Sequence, residues 1–250
     1  MRNLLCLFLG LLASQFAFAQ SSIEWESQVV AFETRDATQP PPKGETVAVG
    51  SSSIRLWSTI RSDLAPAVVE PRGIGGATTI DVLYYLERLV LVHEPRRVLL
   101  YAGENDIAGG RAPRDVLATT QEIVSRIHQR LPSTRVVLMS VKPSILRWDK
   151  WPRMAEANGL LAAFAATDPR ISYVDVSSAL IGADGLPARE NFADDLLHLS
   201  KHGYEVWTSL LRPVLIEPSP SLARCSTYAS VPWGTFGTRL EGCGYAHAAR

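Results

Sequence analysis

The sequence lacks an excess of charge of either sign: 25 Lys plus Arg face 25 Asp plus Glu among 250 residues. Such a balance leaves no electrostatic footprint for nucleic acid or for an anionic membrane surface, so no nucleic-acid partner is expected. A neutral or weakly charged small substrate fits better. Cysteine is scarce, three in all, and no His or Asp/Glu cluster stands beside these cysteines at zinc-like spacing, so no metal is expected. The Lys-Ser/Thr ending of a phosphate-binding P-loop and the spacing of a dinucleotide fingerprint are both missing, and no cofactor is expected. No internal repeat or low-complexity tract competes with a single-domain account. The N-terminal apolar run is shorter than the roughly 20 residues that span a bilayer.

That run, Leu4 to Leu12, follows Arg2, is interrupted by Ser14 and Gln15, and precedes the small-residue site Ala17-Phe18-Ala19. It reads as a signal peptide over residues 1–19, with a secreted or periplasmic mature chain that keeps no transmembrane segment. Cys6 is preceded by Leu4-Leu5 rather than by the small residue expected next to a lipidated cysteine. Removing the leader leaves Cys225 and Cys243, an even pair bound for an oxidising compartment. A disulfide clipping the C-terminal extension, residues 218–250, is the expectation.

What the sequence does have is 46% hydrophobic residues, enough for one substantial core. Residues 20–45 are polar, contain Pro40-Pro41-Pro42, and are expected to form an N-terminal arm or loop. A regular alternation follows over residues 46–217. Apolar strand candidates are Thr46 to Val49, Ala67 to Glu70, Arg97 to Ala102, Arg135 to Val141 and Ile171 to Val176. Helical spacing marks Thr78 to His93, Pro113 to Leu131, Pro152 to Ala166 and Ser200 to Leu215. Strands apolar on both faces and joined by helical crossovers imply an α/β fold: a flavodoxin-like three-layer α/β/α sandwich with a mostly parallel five-stranded sheet. In such sheets ligands bind outside the carboxyl ends of the strands.

Four segments at that rim carry candidate chemistry. The first strand runs into Gly50-Ser51-Ser52-Ser53, where a hydroxyl is presented on a sharp turn at a helix start; serines there also cap helices well. After the second strand, Arg72-Gly73-Ile74-Gly75-Gly76-Ala77-Thr78-Thr79 is a loop whose backbone amides could hold an oxyanion. The third strand ends in Tyr101-Ala102-Gly103-Glu104-Asn105-Asp106, and Asn105 can donate to a developing negative oxygen. The same residues also make an ordinary turn. Before the last helix stands Asp194-Asp195-Leu196-Leu197-His198, where an Asp three residues before a His can hold the imidazole by its Nδ1 proton. His93, His128, His202 and His247 have no such partner at that interval and read as structural.

In order and spacing, the four blocks resemble those of the SGNH/GDSL hydrolases over residues 46–215. The resemblance implies a serine esterase: Ser52 as nucleophile, His198 as base, Asp195 as its orienter, and the Ser52 amide, Gly76 and Asn105 as the oxyanion hole. Two positions depart from the family pattern. Ser51 replaces the Asp that usually precedes the nucleophile, and Ala77 replaces an Asp that often follows the second-block glycine. Ser51 and Ser53 remain conceivable nucleophiles, although the block alignment favours Ser52. The long loop Lys142 to Trp151 lies on the same rim, and Arg147, Trp148 and Trp151 are candidate substrate-binding residues or serve to pack the loop. The expected substrate is a small-molecule, glycan or lipid ester, with short-chain and O-acetyl esters first. A non-catalytic glycan-binding module and an acyltransferase on the same fold are the alternatives.

Overall fold

Strands β1 (Thr46–Gly50) and β3 (Arg97–Tyr101) are buried along their whole length, which is what places them in the interior of a sheet covered on both faces. The computed structural model describes residues 25–216. With β2 (Val69–Gly73), β4 (Arg135–Met139) and β5 (Ile171–Val174), these strands make one five-stranded sheet in the order β2-β1-β3-β4-β5. Every pairing is parallel. The order reverses between β1 and β3, so their carboxyl ends flank the crevice where such folds bind ligands.

Side chains alternate between two cores along the inner strands, as the period of two in a strand requires. Val47 and Val49, Val98 and Leu100, and Val136 and Leu138 point into one cluster, with Tyr85, Leu86, Ile123 and Ile127 from the covering helices. Ala48, Leu99, Tyr101, Val137 and Met139 point into the other, with Ile54, Trp57, Tyr204, Trp207 and Leu211. The first cluster is covered mainly by α4 (Thr79–Tyr84), α5 (Leu86–Leu89) and α7 (Pro113–Arg130), and the second by α2 (Ser52–Arg55), α3 (Ile60–Asp63) and α9 (Lys201–Ile216). Helix α8 (Trp151–Ala165) packs on α7. Each fully buried aliphatic or aromatic side chain contributes on the order of 1.5–3 kcal/mol.

Three expectations require correction. Residues 25–38, expected as arm or loop, are helical (α1). Strand β2 runs to Gly73 rather than ending at Glu70, because it lies at the sheet edge, where the missing N–H of Pro71 leaves no ladder bond unmade. Its Arg72 is fully buried and donates to Asp36 of α1 at 2.6 Å, tying that helix to the sheet edge. The single helix expected over Thr78 to His93 is broken into α4, α5 and a 3-10 turn at Leu91–His93. The leader, residues 1–19, and the cysteine pair Cys225 and Cys243 lie outside the described residues. Among the described residues no helix is long and apolar enough to cross a membrane.

Candidate active site

The turn after β1 is forced by close backbone packing. Gly50 has φ +152°, and Ser51 donates its amide to the Tyr101 carbonyl at 3.0 Å. Ser51 and Ser53 are buried, whereas Ser52, the first residue of α2, is partly open. The turn is held from behind by α9, where the Tyr204 hydroxyl donates to the Ser53 carbonyl at 2.9 Å and its ring stacks on Trp57 at 5.1 Å.

The segment before α9 folds back as a tight loop. Phe192 bridges Leu199, the Ala193 amide donates to the His198 carbonyl at 2.8 Å, and Leu196 takes the left-handed conformation at φ +58°. A non-glycine residue held there is strained by about 1–3 kcal/mol. The reversal at Leu196 lets one Oδ of Asp195 accept the amides of Leu197 at 3.0 Å and His198 at 2.9 Å. The other Oδ meets Nδ1 of His198 at 2.6 Å. Nε2 of His198 then lies 2.9 Å from Oγ of Ser52. Partial burial pushes the Asp195 carboxyl up, but the bonds it accepts from the ring and the amides outweigh that effect and hold it at about 2. Asp194, one residue earlier, is fully exposed and among the described residues meets only Arg189, at 3.3 Å.

The other two blocks meet beside this chain of bonds. Asn105, in α6 (Glu104–Ala108), gives one Nδ2 hydrogen to the Ala77 carbonyl at 3.0 Å, which sets its amide against the Gly76 loop. Gly76 has φ +80°, a conformation that favours glycine. The neighbouring Gly75 amide is held by Gln28 of α1 at 3.0 Å. Asp106 is fully buried and accepts from the Thr79 amide at 2.9 Å and the Thr79 hydroxyl at 2.6 Å, with Arg111 on the same carboxylate. Thr78 and Asp81 form a capping box at the start of α4. The loop after β2 is therefore anchored by Asp106 and by this cap.

The residues expected to bind substrate are placed less uniformly. Arg147 donates to Oδ1 of Asn105 at 3.0 Å and to Glu104 at 3.3 Å, so its guanidinium is engaged with the protein itself. Trp148 and Trp151 stack at 5.9 Å with their planes within 10°. Trp151 also packs on the apolar cluster of Ile107, Val141 and Met154, which gives this residue a packing role. Two buried groups were not singled out from sequence: Glu104 and Lys142, 2.9 Å apart. Their pairing joins two loops, and the only local signal was a basic residue and a carboxylate at the same rim. A cavity of about 320 Å³ lies elsewhere, at the amino-terminal edge of β1 and β2 among Pro66, Val68 and His93. His93, His128 and His202 stand apart from the Ser52 site, and His247 lies outside the described residues. Among the described residues no group of three or more His, Cys, Asp or Glu side chains is arranged to hold a metal.

Residues 45–206 match the profile of the GDSL-like lipase/acylhydrolase family. The chain belongs to that family. Solved structures of similar fold include a GDSL-like lipase from Bacteroides thetaiotaomicron, 19% identical, with a TM-score of 0.65 over 75% of this chain and 96% of the other. An acetyl-xylooligosaccharide esterase from Geobacillus stearothermophilus is 15% identical, with a TM-score of 0.56 over 71% and 96%. A family 3 carbohydrate esterase from Clostridium thermocellum is 16% identical, with a TM-score of 0.55 over 72% and 100%. No curated protein matches the chain. Family membership makes this GDSL protein a hydrolase of the acylhydrolase type, and the Ser52, Asn105 and Asp195/His198 blocks all fall within the matched residues.

Proposed function

We propose that this GDSL acylhydrolase is an exported serine esterase that cleaves acyl esters, short-chain and O-acetyl esters first, with Ser52, His198 and Asp195 as its triad. The observation that carries the reading is the unbroken line from Ser52 Oγ to His198 Nε2 at 2.9 Å and from His198 Nδ1 to Asp195 at 2.6 Å. The ionised Asp195 fixes the ring so that Nδ1 carries the proton and Nε2 faces the serine. His198 removes the Ser52 proton as Oγ attacks the ester carbonyl, then passes that proton to the leaving alcohol. The acyl-serine is hydrolysed by a water that His198 activates in turn.

The developing oxyanion is received by the Ser52 and Gly76 amides and by Asn105. With one Nδ2 hydrogen given to Ala77 and Oδ1 held by Arg147, the amide of Asn105 is fixed and its second hydrogen serves the oxyanion. Export follows from the leader read in residues 1–19, and a Cys225–Cys243 disulfide from the compartment it leads to. The partly exposed Trp148, next to Arg147 at the rim, and the fold shared with an acetyl-xylooligosaccharide esterase make an acetylated glycan the first natural substrate to try.

The decisive experiment measures hydrolysis of a chromogenic acetyl ester by wild type and Ser52→Ala, followed by an acyl-chain-length series. Wild-type turnover abolished in a folded Ser52→Ala protein is the expected result. Equal turnover in the two would overturn the assignment.

A further inference from the structure

Beneath the site lies a buried ion pair, Lys142 with Glu104, that takes no part in the proposed acyl-transfer steps. Lys142 emerges just beyond β4 with its side chain wholly inaccessible to solvent, and its Nζ is 2.9 Å from Oε2 of Glu104. The same ammonium donates to the Leu197 carbonyl at 2.7 Å. Leu197 is the residue immediately before His198. Glu104 immediately precedes Asn105, is 5% exposed, and also accepts from the Tyr101 hydroxyl at 3.0 Å. Arg147 completes the figure, reaching the other oxygen of Glu104 at 3.3 Å and Oδ1 of Asn105 at 3.0 Å. One residue before Arg147, the Leu146 amide donates to the Leu196 carbonyl at 3.0 Å.

The loop after β4 is thus bonded to both halves of the site. On one side it holds the Asp195–His198 turn through the carbonyls of Leu196 and Leu197. On the other it holds the Glu104–Asn105 pair. Burying a lysine and a carboxylate is costly unless each is paired and hydrogen-bonded, and replacing such pairs with apolar groups is often neutral or stabilising. Stability alone therefore gives a weak account of this cluster.

We propose that Lys142 and Arg147, sharing the carboxylate of Glu104, are positioning residues that hold the oxyanion donor Asn105 and the Leu197–His198 turn at a fixed separation. This rests on the esterase reading above. Arg147 acts on substrate only through Asn105: by occupying Oδ1 it fixes which way the amide faces and leaves Nδ2 as the group presented to the oxyanion.

A double-mutant cycle tests the Arg147 half. Asn105→Ala is expected to lower kcat on the chromogenic acetyl ester by about 100- to 1000-fold, the usual effect of removing one oxyanion donor. Arg147→Met, at a side chain that is 24% exposed, is expected to lower kcat at least 10-fold with little change in KM. The double variant should match Asn105→Ala alone. Independent, multiplying losses, or a rise in KM alone, would make Arg147 a substrate ligand and overturn its positioning role. For Lys142, the paired exchange Lys142→Met with Glu104→Gln removes both charges of the buried pair together, while Arg147, which is partly exposed, keeps its bond to Oδ1 of Asn105. A fall in kcat at near-constant KM is expected, and wild-type kcat would overturn that half.

A second readout needs no ester turnover. The Asn105 side-chain amide, identified in nitrogen-proton NMR spectra by its loss in Asn105→Ala, should shift or broaden in Arg147→Met. An unchanged signal refutes the proposal whether or not the protein is an esterase. Absence of wild-type ester hydrolysis, by contrast, refutes only the functional reading.

Discussion

A methyl group placed on Gly50 would lie 1.8 Å from the backbone carbonyl oxygen of Tyr101. That oxygen accepts the Ser51 amide at 3.0 Å, so the ends of β1 and β3 are pressed together where Ser52 is presented. Since the obstacle is backbone, no rotamer change relieves it. Gly50→Ala is expected to cost more than about 4 kcal/mol, the range associated with specific steric or strain mechanisms, and to abolish activity in whatever protein remains folded. Thermal melting checks this, and a melting temperature equal to that of wild type would mean the β1 turn is built differently.

Asp195→Asn is expected to lower kcat by on the order of 10³- to 10⁴-fold, because an amide in place of the carboxylate no longer fixes the productive tautomer of His198. Asp194→Asn should stay close to wild type, since that side chain is fully exposed and pairs with Arg189, away from the His198 ring. Steady-state kinetics of the two variants decide between the neighbouring aspartates. A dead Asp194→Asn beside an active Asp195→Asn would reverse their roles.

Much of this arrangement was legible in the sequence because it is local. The inner strands announce themselves as short apolar runs, Val47 to Val49, Val98 to Tyr101 and Val136 to Met139, and Asp195 and His198 sit three residues apart on one turn. Tertiary contacts hid the rest. Helix α1 contributes the fully buried Val29 to the core, and it is held down by ion pairs from Arg88 to Glu26 and Glu33 and from Arg72 to Asp36, whose partners lie in distant segments. The sequence pattern ends β2 at Glu70 because Pro71 and Arg72 contradict a strand, and only the edge position and the buried partners of Arg72 extend it to Gly73. The Glu104–Lys142 pair joins loops following β3 and β4, and nothing local couples them.

Asp106→Ala is expected to destabilise the fold by about 3 kcal/mol or more, the lower end of what removing one partner of a buried ion pair costs. The change strands Arg111 and leaves the Thr79 amide and hydroxyl without their acceptor. Because α4 begins at that point, the Gly76–Ala77 loop should loosen with it, and residual folded protein should show a lower kcat. Chemical denaturation paired with kinetics tests both parts. A wild-type denaturation midpoint would show that Asp106 does not anchor the loop.

The acid limb of the pH profile should report one proton. The general base must be neutral to accept the Ser52 proton, so kcat/KM is expected to rise with pH on the acid side of the profile and level off above. Asp195 could add a second ionisation only if it titrated in the same range, and its bonds from the His198 ring and the amides of His198 and Leu197 hold it at about 2. The sign follows from that depression: its folded pKa lies below the usual 3.8, so its contribution to the folded state is complete above that value and is lost only as pH falls through about 2. The side chain is half exposed, so solvent screening keeps that contribution small. A plot of log kcat/KM against pH should therefore climb with a slope of one on its acid side. A slope of two, with the fold intact over the same range, would mean that a second group must lose a proton before Ser52 can attack, and that the Asp195 carboxylate is not held as its three hydrogen bonds require.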